Sequence, residues 1–281
     1  MDKCIVCGSA HSGQLYAGIL KCQDCGYVFA DTCLTDEELL ELYRKNYFFG
    51  DEYSNYLADK RAIQKNFKLR LKVLRAFLNP IHHRCLLEIG SAYGFFLDIV
   101  RDDFDRVQGI DITEDGVRYA REQLSLEVIQ ADFLKHDFGN QKFDVVCLWD
   151  TIEHLRCPDL YLEKISKHMN EGSLLTLTTG DIESLNGRLK KNRWRLLHPP
   201  THLHYFSRRT LRKILDRYEF DVIYDRYCGF YRSINNVAYN ILVLRREKPA
   251  LYNILRRSGF LNFDFYLNLY DIMYIIARKR A

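Results

Sequence analysis

The sequence predicts an α/β protein with a parallel sheet covered on both faces, preceded by a small four-cysteine module. Two observations carry that prediction. From residue 85 onward, short apolar runs ending at Gly, Asp or Thr alternate with helical patterns. Before residue 33, four cysteines fall in two pairs of identical spacing. The 281 residues suffice for one large domain and a small appendage. Hydrophobic content of 47% and charged content of 28% are ordinary for a globular chain. A net charge of +4 is too weak by itself to argue for a nucleic-acid partner. The opening MDKCIVCGSA lacks a charged-then-apolar leader, and no apolar run is long enough to span a bilayer. A cytoplasmic location is therefore expected, with the nine cysteines reduced.

Residues 1–33 hold Cys4 and Cys7, then fourteen residues, then Cys22 and Cys25, and each pair is followed by Gly. A C-x2-C turn aims two thiolates at one tetrahedral ion, and two such turns close a structural zinc site with no open position. A redox dithiol is the weaker reading, because no βαβ unit surrounds the pairs. Cys33, Cys85, Cys147, Cys157 and Cys228 read as free thiols, mostly core fillers.

Residues 34–80 read as a helical linker or lid. TDEELLELYRKNYF comes first, and a longer amphipathic helix spans about 57–78. In it Ile63, Phe67, Leu71, Leu74 and Phe77 recur at helical spacing. The opposite face carries Lys60, Arg61, Lys65, Lys68, Arg70, Lys72 and Arg75 and reads as solvated. Asn79-Pro80 ends the helix.

Residues 81–281 then give the strands CLLEIG, RVQGID, LEVIQAD, FDVVCLWD and GSLLTLTT, separated by helices such as EDGVRYAREQL. Parallel sheets of this kind bind ligands at the carboxyl ends of their strands. The first strand runs into Glu88-x-Gly90-x-x-x-Gly94, where glycines and a helix N-terminus let a ligand approach the backbone. The second ends at Asp111, placed to hydrogen-bond two ribose hydroxyls, and Ile112 follows. The third ends at Asp132 and Phe133, able to hold and flank an adenine. The fourth ends in WDTIEHL, with Trp149, Asp150, Glu153 and His154.

This series resembles the class I S-adenosylmethionine-dependent methyltransferases, whose successive cofactor motifs match in order and spacing over about residues 84–180. The resemblance implies a Rossmann-like, seven-stranded, mostly parallel sheet with an antiparallel last strand. It also implies a glycine loop that cradles the methionine part of the cofactor (Glu88, Gly90, Ser91, Gly94), a ribose acid (Asp111) and an adenine acid (Asp132). Gly90 is followed by Ser91-Ala92 where many members have Cys-Gly. IEHL at 152–155, HLHYFS at 202–207 and CGYVF at 25–29 resemble the methyltransferase-23 or ubiquinone-biosynthesis-like branch. That branch implies methylation of a hydroxyl on a small molecule, sugar, quinol or lipid-linked glycan.

An alcohol nucleophile must lose its proton as it attacks, so a histidine, a carboxylate or a metal is needed near the methyl group. The fourth strand end offers Asp150, Glu153 and His154, which match an acid-x-x-Glu-His element linked in the ubiquinone-type enzymes to a divalent metal. Three uses are open: His154 as general base, Mg2+ held by Asp150, Glu153 and His154, or a helix cap formed by Glu153 and His154 in the first turn of the next helix. His202 and His204 are the next candidates and are expected to share one strand face. Around them lie His198 and the cations Arg188, Lys190, Lys191, Arg193, Arg195, Arg208 and Arg209, suited to a phosphorylated acceptor or to solvent.

A sixth strand is expected at FDVIYDRYC and an antiparallel last one at YDIMYIIARKR. Residues 229–270 between them form an amphipathic, basic helical insert. It can pack on the domain, pair with another subunit or touch a membrane peripherally. Two other functions compete: an RNA methyltransferase with a zinc module, and a cofactor-binding interaction protein without turnover. Modest charge and the missing N/D-P-P-F/Y signature oppose the first, and the intact glycine loop opposes the second.

Overall fold

A computed structural model describes residues 3–32, 35, 38 and 56–281. Its contacts divide the chain into two compact units. One comprises Met1–Cys33, Leu74–Cys228 and Leu269–Ala281, and the other Leu34–Val73 and Gly229–Asn268. Cys33 and most of the expected helical stretch 35–48 lie outside the described residues.

The first unit is built on a seven-stranded sheet. Strands β4 (Cys85–Ile89), β5 (Arg106–Asp111), β6 (Val128–Gln130), β7 (Phe143–Trp149) and β8 (Met169–Gly180) are mutually parallel in the order β8-β7-β4-β5-β6. Two later strands, β10 (Phe220–Tyr227) and β13 (Ile272–Lys279), complete the order β10-β13-β8. Strand β13 is antiparallel to both neighbours, pairing Ile275 with Leu177 of β8 and with Asp225 of β10. This is the mostly parallel sheet with an antiparallel last strand that the family resemblance implies.

The central strands are apolar on both faces because helices cover both. Leu86, Leu87, Val145, Val146, Leu148, Leu174, Leu175, Leu177 and Ile275 are all buried. The covering helices are α2 (Phe95–Val100), α3 (Glu114–Leu124), α4 (Pro158–Lys167), α5 (Leu185–Lys190) and α6 (Arg208–Arg217). Local chemistry sets their ends. Pro158 opens α4 where its missing N–H costs nothing, and Ser207 with Thr210 forms a capping box at α6.

The N-terminal cysteines belong to the same unit. Strands β1 (Ser12–Tyr16), β2 (Ile19–Cys22) and β3 (Val28–Ala30) form an antiparallel ribbon. Its fourth strand is the two-residue β9 (His204–Tyr205), with Val28 opposite Tyr205 and Phe29 opposite His204. Arg217 of α6 also donates to the Ile5 carbonyl at 3.1 Å.

The second unit contains α1 (Lys60–Leu74), the antiparallel pair β11 (Phe230–Ser233) and β12 (Asp264–Leu267), α7 (Ile234–Tyr239), a π-helical turn at Asn240–Arg245 and α8 (Pro249–Arg257). Part of the cationic face of α1 is spent on ion pairs instead of solvent. Arg61 and Lys65 both reach the Asp264 carboxylate at 2.9 Å. Asn66 donates to the Tyr231 carbonyl at 3.1 Å and ties α1 to β11.

Candidate active site

The carboxyl ends of β4 to β8 gather most of the residues singled out in the sequence. Glu88 on β4 is 2% exposed. The turn that follows holds Gly90 at φ 76°, Ala92 at φ 47° and Gly94 at φ 71°, the last being the N-cap of α2. A side chain at Gly90 would also come within 2.8 Å of Thr151. The turn therefore presents bare backbone, as close approach of a ligand requires. Ser91 lies in it with a buried hydroxyl that has no hydrogen-bond partner among the described residues. An orphaned donor in a glycine turn fits a polar ligand that is to be bound there.

Asp111 ends β5 beneath this turn. It accepts hydrogen bonds from the Ala92 N–H at 2.7 Å and from the Thr113 N–H and hydroxyl at 2.8 and 2.6 Å. A carboxylate offers about four acceptor sites, so roughly one remains for a ribose hydroxyl. Burial pushes its carboxyl up, and the bonds from Thr113 and Ala92 pull it back. Ile112 follows, half-buried. Beyond β6, Asp132 accepts from the Leu134 N–H at 2.8 Å and from the Tyr161 hydroxyl at 3.3 Å. Phe133 is 3% exposed and stacks on Tyr161 at 5.2 Å, so its ring is largely committed to the core. Trp149 ends β7, packed edge-on against Phe96 and Tyr274.

Asp150 adopts φ 49°, which is rare for a residue with a side chain and clusters at functional sites. Thr178 of β8 holds it there. The Asp150 N–H donates to the Thr178 hydroxyl at 3.0 Å, and that hydroxyl donates to the Asp150 carboxylate at 2.8 Å.

Glu153 and His154 do not lie in the first turn of a helix, as the sequence suggests. Residues 151–154 form a turn closed by the His154 N–H on the Thr151 carbonyl, and α4 starts only at Pro158, the residue that can open it. The turn brings Glu153 and His154 to His202, with one metal-ligating atom of each lying within 4.8 Å of the others. Asp150 is not part of this group. The Mg2+ set expected from Asp150, Glu153 and His154 is thus not assembled, because Thr178 draws the Asp150 carboxylate aside. Two imidazoles and one carboxylate are not the oxygen-rich set Mg2+ prefers.

The histidines separate by environment. His154 places Nδ1 2.8 Å from the Thr201 carbonyl. His202 places Nδ1 2.9 Å from the Leu196 carbonyl, between the rings of His154 and His198 at 4.6 and 3.9 Å. Burial and the neighbouring imidazoles push His202 down to about 2, so it stays neutral. His198 bonds the Thr201 hydroxyl at 2.6 Å. His204 does not share a strand face with His202, since β9 begins only at His204. Its Nε2 is 2.7 Å from the Leu155 carbonyl and its Nδ1 meets the Tyr27 hydroxyl of the ribbon. Burial pushes it down to about 4.

At the ribbon, Cys4 Sγ and Cys25 Sγ are 3.6 Å apart, as are Cys7 Sγ and Cys22 Sγ, and all four converge. The glycine after each pair takes a left-handed turn, Gly8 and Gly26 both at φ 76°. Their N–H groups return to the Cys4 and Cys22 carbonyls at 2.7 and 2.9 Å. Cys85 and Cys147 are free thiols, with Cys147 fully buried.

Several contributors carried no signal in the sequence. Thr178, Thr201 and Tyr161 orient Asp150, His154 and Asp132, each from a different segment from the motif it serves, while Thr113 orients Asp111 from two residues on.

A seven-stranded sheet of this order, with a glycine turn after β4 and acids after β5 and β6, defines the class I methyltransferase fold. A family model described as a methyltransferase domain, methyltransferase family 23, matches residues 60–225, and the chain belongs to this family of S-adenosylmethionine-dependent methyltransferases. No curated protein sequence matches it. Solved structures share the fold. Magnesium protoporphyrin IX methyltransferase from Synechocystis, with bound SAH, is 14% identical, covers 87% of this chain and 100% of its own, and superposes with a TM-score of 0.56. A methyltransferase from Thermotoga maritima is 16% identical over 86% of this chain and 100% of its own, with a TM-score of 0.55. The YcgJ protein of Bacillus subtilis is 14% identical over 77% and 99%, with a TM-score of 0.55.

Proposed function

We propose that the protein is an O-methyltransferase acting on a hydroxyl of a small molecule, sugar or lipid-linked glycan, with His154 as the general base. One observation carries the choice of base. His154 Nδ1 lies 2.8 Å from the Thr201 carbonyl, which can only accept. Nδ1 therefore carries the proton, and Nε2 is the basic nitrogen. Glu153, buried beside the ring, favours the imidazolium as it forms. His202 stays neutral and props the His154 ring, and His204 holds the loop to the ribbon.

S-adenosylmethionine supplies a methyl group already activated on a sulfonium. The chain's own work is to hold and align the reactants. Glu88, Gly90, Ser91 and Gly94 would hold the methionine part, with the orphaned Ser91 hydroxyl as a donor. Asp111 and Ile112 would hold the ribose, Asp132 and the Phe133 backbone the adenine, and Trp149 with Asp150 would floor the reaction centre.

The four ribbon cysteines are proposed to bind one structural zinc ion. Four thiolates at about 2.3 Å from a tetrahedral zinc lie about 3.8 Å apart, close to the 3.6 Å seen for two of the pairs. Reduced thiols suit a cytoplasmic protein.

The test is turnover, read as S-adenosylhomocysteine release with a panel of catechols, quinols and alkyl glycosides. His154→Ala should lower turnover by about 10²–10⁴-fold while cofactor affinity stays unchanged. Near-full turnover in that variant would move the proton acceptor to another group.

A further inference from the structure

In the second unit, helix α8 and the residues beside it carry large apolar side chains that are exposed among the described residues. Helix α8 buries Tyr252, whose hydroxyl donates to the Asn235 side chain at 3.0 Å and whose ring packs on Tyr239. The helix is thus anchored on one side. On another side Leu251 and Ile254 point outward at 43% and 65% exposure. Leu244 before the helix, and Phe260 and Phe263 after it, are 50%, 73% and 54% exposed. Large aliphatic and aromatic side chains exposed together within twenty residues mark a surface that something covers.

The charge around these residues says what covers it. Residues 245–257 contain Arg245, Arg246, Lys248, Arg256 and Arg257 against the single acid Glu247. None of the five cations forms an ion pair among the described residues. A second copy of the chain would bring the same cations against one another, which like charge disfavours. Exposed Leu, Ile and Phe flanked by Lys and Arg are the makeup of a helix that lies in the headgroup region of a bilayer.

We propose that residues 241–263 dock this protein on an anionic lipid surface, with Leu251, Ile254, Phe260 and Phe263 entering the acyl boundary and the flanking cations meeting the headgroups. The membrane contact is independent of the acceptor and of the assignment of His154.

The experiment is vesicle flotation of the full chain with equimolar phosphatidylglycerol and phosphatidylcholine, beside phosphatidylcholine alone. Binding is expected only to the anionic vesicles and is expected to fall with salt. R256Q with R257Q should weaken it about 30-fold, since each cation near an anionic surface is worth about a five-fold change. I254S with F260S should abolish it. Both pairs are exposed, so thermal unfolding should be unchanged. If either variant misfolds, R245Q with R246Q and L251S provide the same readings. Absent vesicle binding, or binding that ignores all these substitutions, overturns the proposal. So does a dimer in light scattering that I254S with F260S dissociates while vesicles are not bound. Cofactor binding measured on the same samples reports separately on the methyltransferase assignment.

Discussion

The Tyr27 hydroxyl meets His204 Nδ1 inside the protein, joining the cysteine ribbon to the loop that also carries His202. Both residues are buried, and His204 Nε2 bonds the Leu155 carbonyl on the far side. A carbonyl accepts only, so Nε2 is the donor and Nδ1 accepts the hydrogen bond of the Tyr27 hydroxyl. The ribbon is therefore part of the wall behind the proposed proton acceptor.

Removing that hydroxyl with Tyr27→Phe leaves His204 Nδ1 buried without its donor. The cost should be about 1–3 kcal/mol of stability. A double-mutant cycle with His204→Phe in urea unfolding should show coupling of about 0.5–3 kcal/mol. Additive losses would place the two residues in separate jobs.

Stability should fall on acidification. His204 is pushed down to about 4 in the folded protein, from an unperturbed value near 6.5. The unfolded chain thus binds a proton that the native chain refuses. The stabilisation is complete above about pH 6.5 and is lost as pH falls toward 4, about 3 kcal/mol for this one group. His202, held lower still, acts with the same sign over a window that reaches further down, to about pH 2. Unfolding free energies should decline from pH 7 to pH 5, more steeply toward pH 5, and His204→Phe should make the decline shallower.

Elemental analysis should find about one zinc per chain. Cys22→Ser or a strong chelator should release it and lower the unfolding midpoint, because zinc binding is coupled to folding of so small a segment. Metal-free protein with an unchanged midpoint would reject the site.

Asp111→Ala should weaken S-adenosylmethionine binding in calorimetry. The lost charge-assisted bond is worth about 1.5–3 kcal/mol. The variant should also loosen the turn, since Asp111 holds the Ala92 N–H. Wild-type affinity would remove Asp111 from the ribose site.

The sheet was legible because its strands are continuous apolar runs bounded by helices at regular spacing, and the cysteine knuckles because their spacing is itself geometric. The helix boundary after WDTIEHL was missed because Pro158 is a weaker cue than the charged run before it. The partners of Asp150 and His154 were not legible at all. Thr178 and Thr201 are ordinary residues that become specific only when β8 and the loop after α5 fold against them. Pairing β3 with β9 was hidden for the same reason, as a two-residue strand has no periodicity to read.

That short strand bears on the order of events during synthesis. Tyr27 and His204 are 177 positions apart. Strands β1 to β3 leave the ribosome long before their fourth member exists. Until then β3 is an open edge, a template for pairing with other nascent chains. Contacts so distant in sequence form late. The proposed zinc ion, captured by the early cysteines, would hold the ribbon in register through that interval, and its supply during translation would then bear on yield.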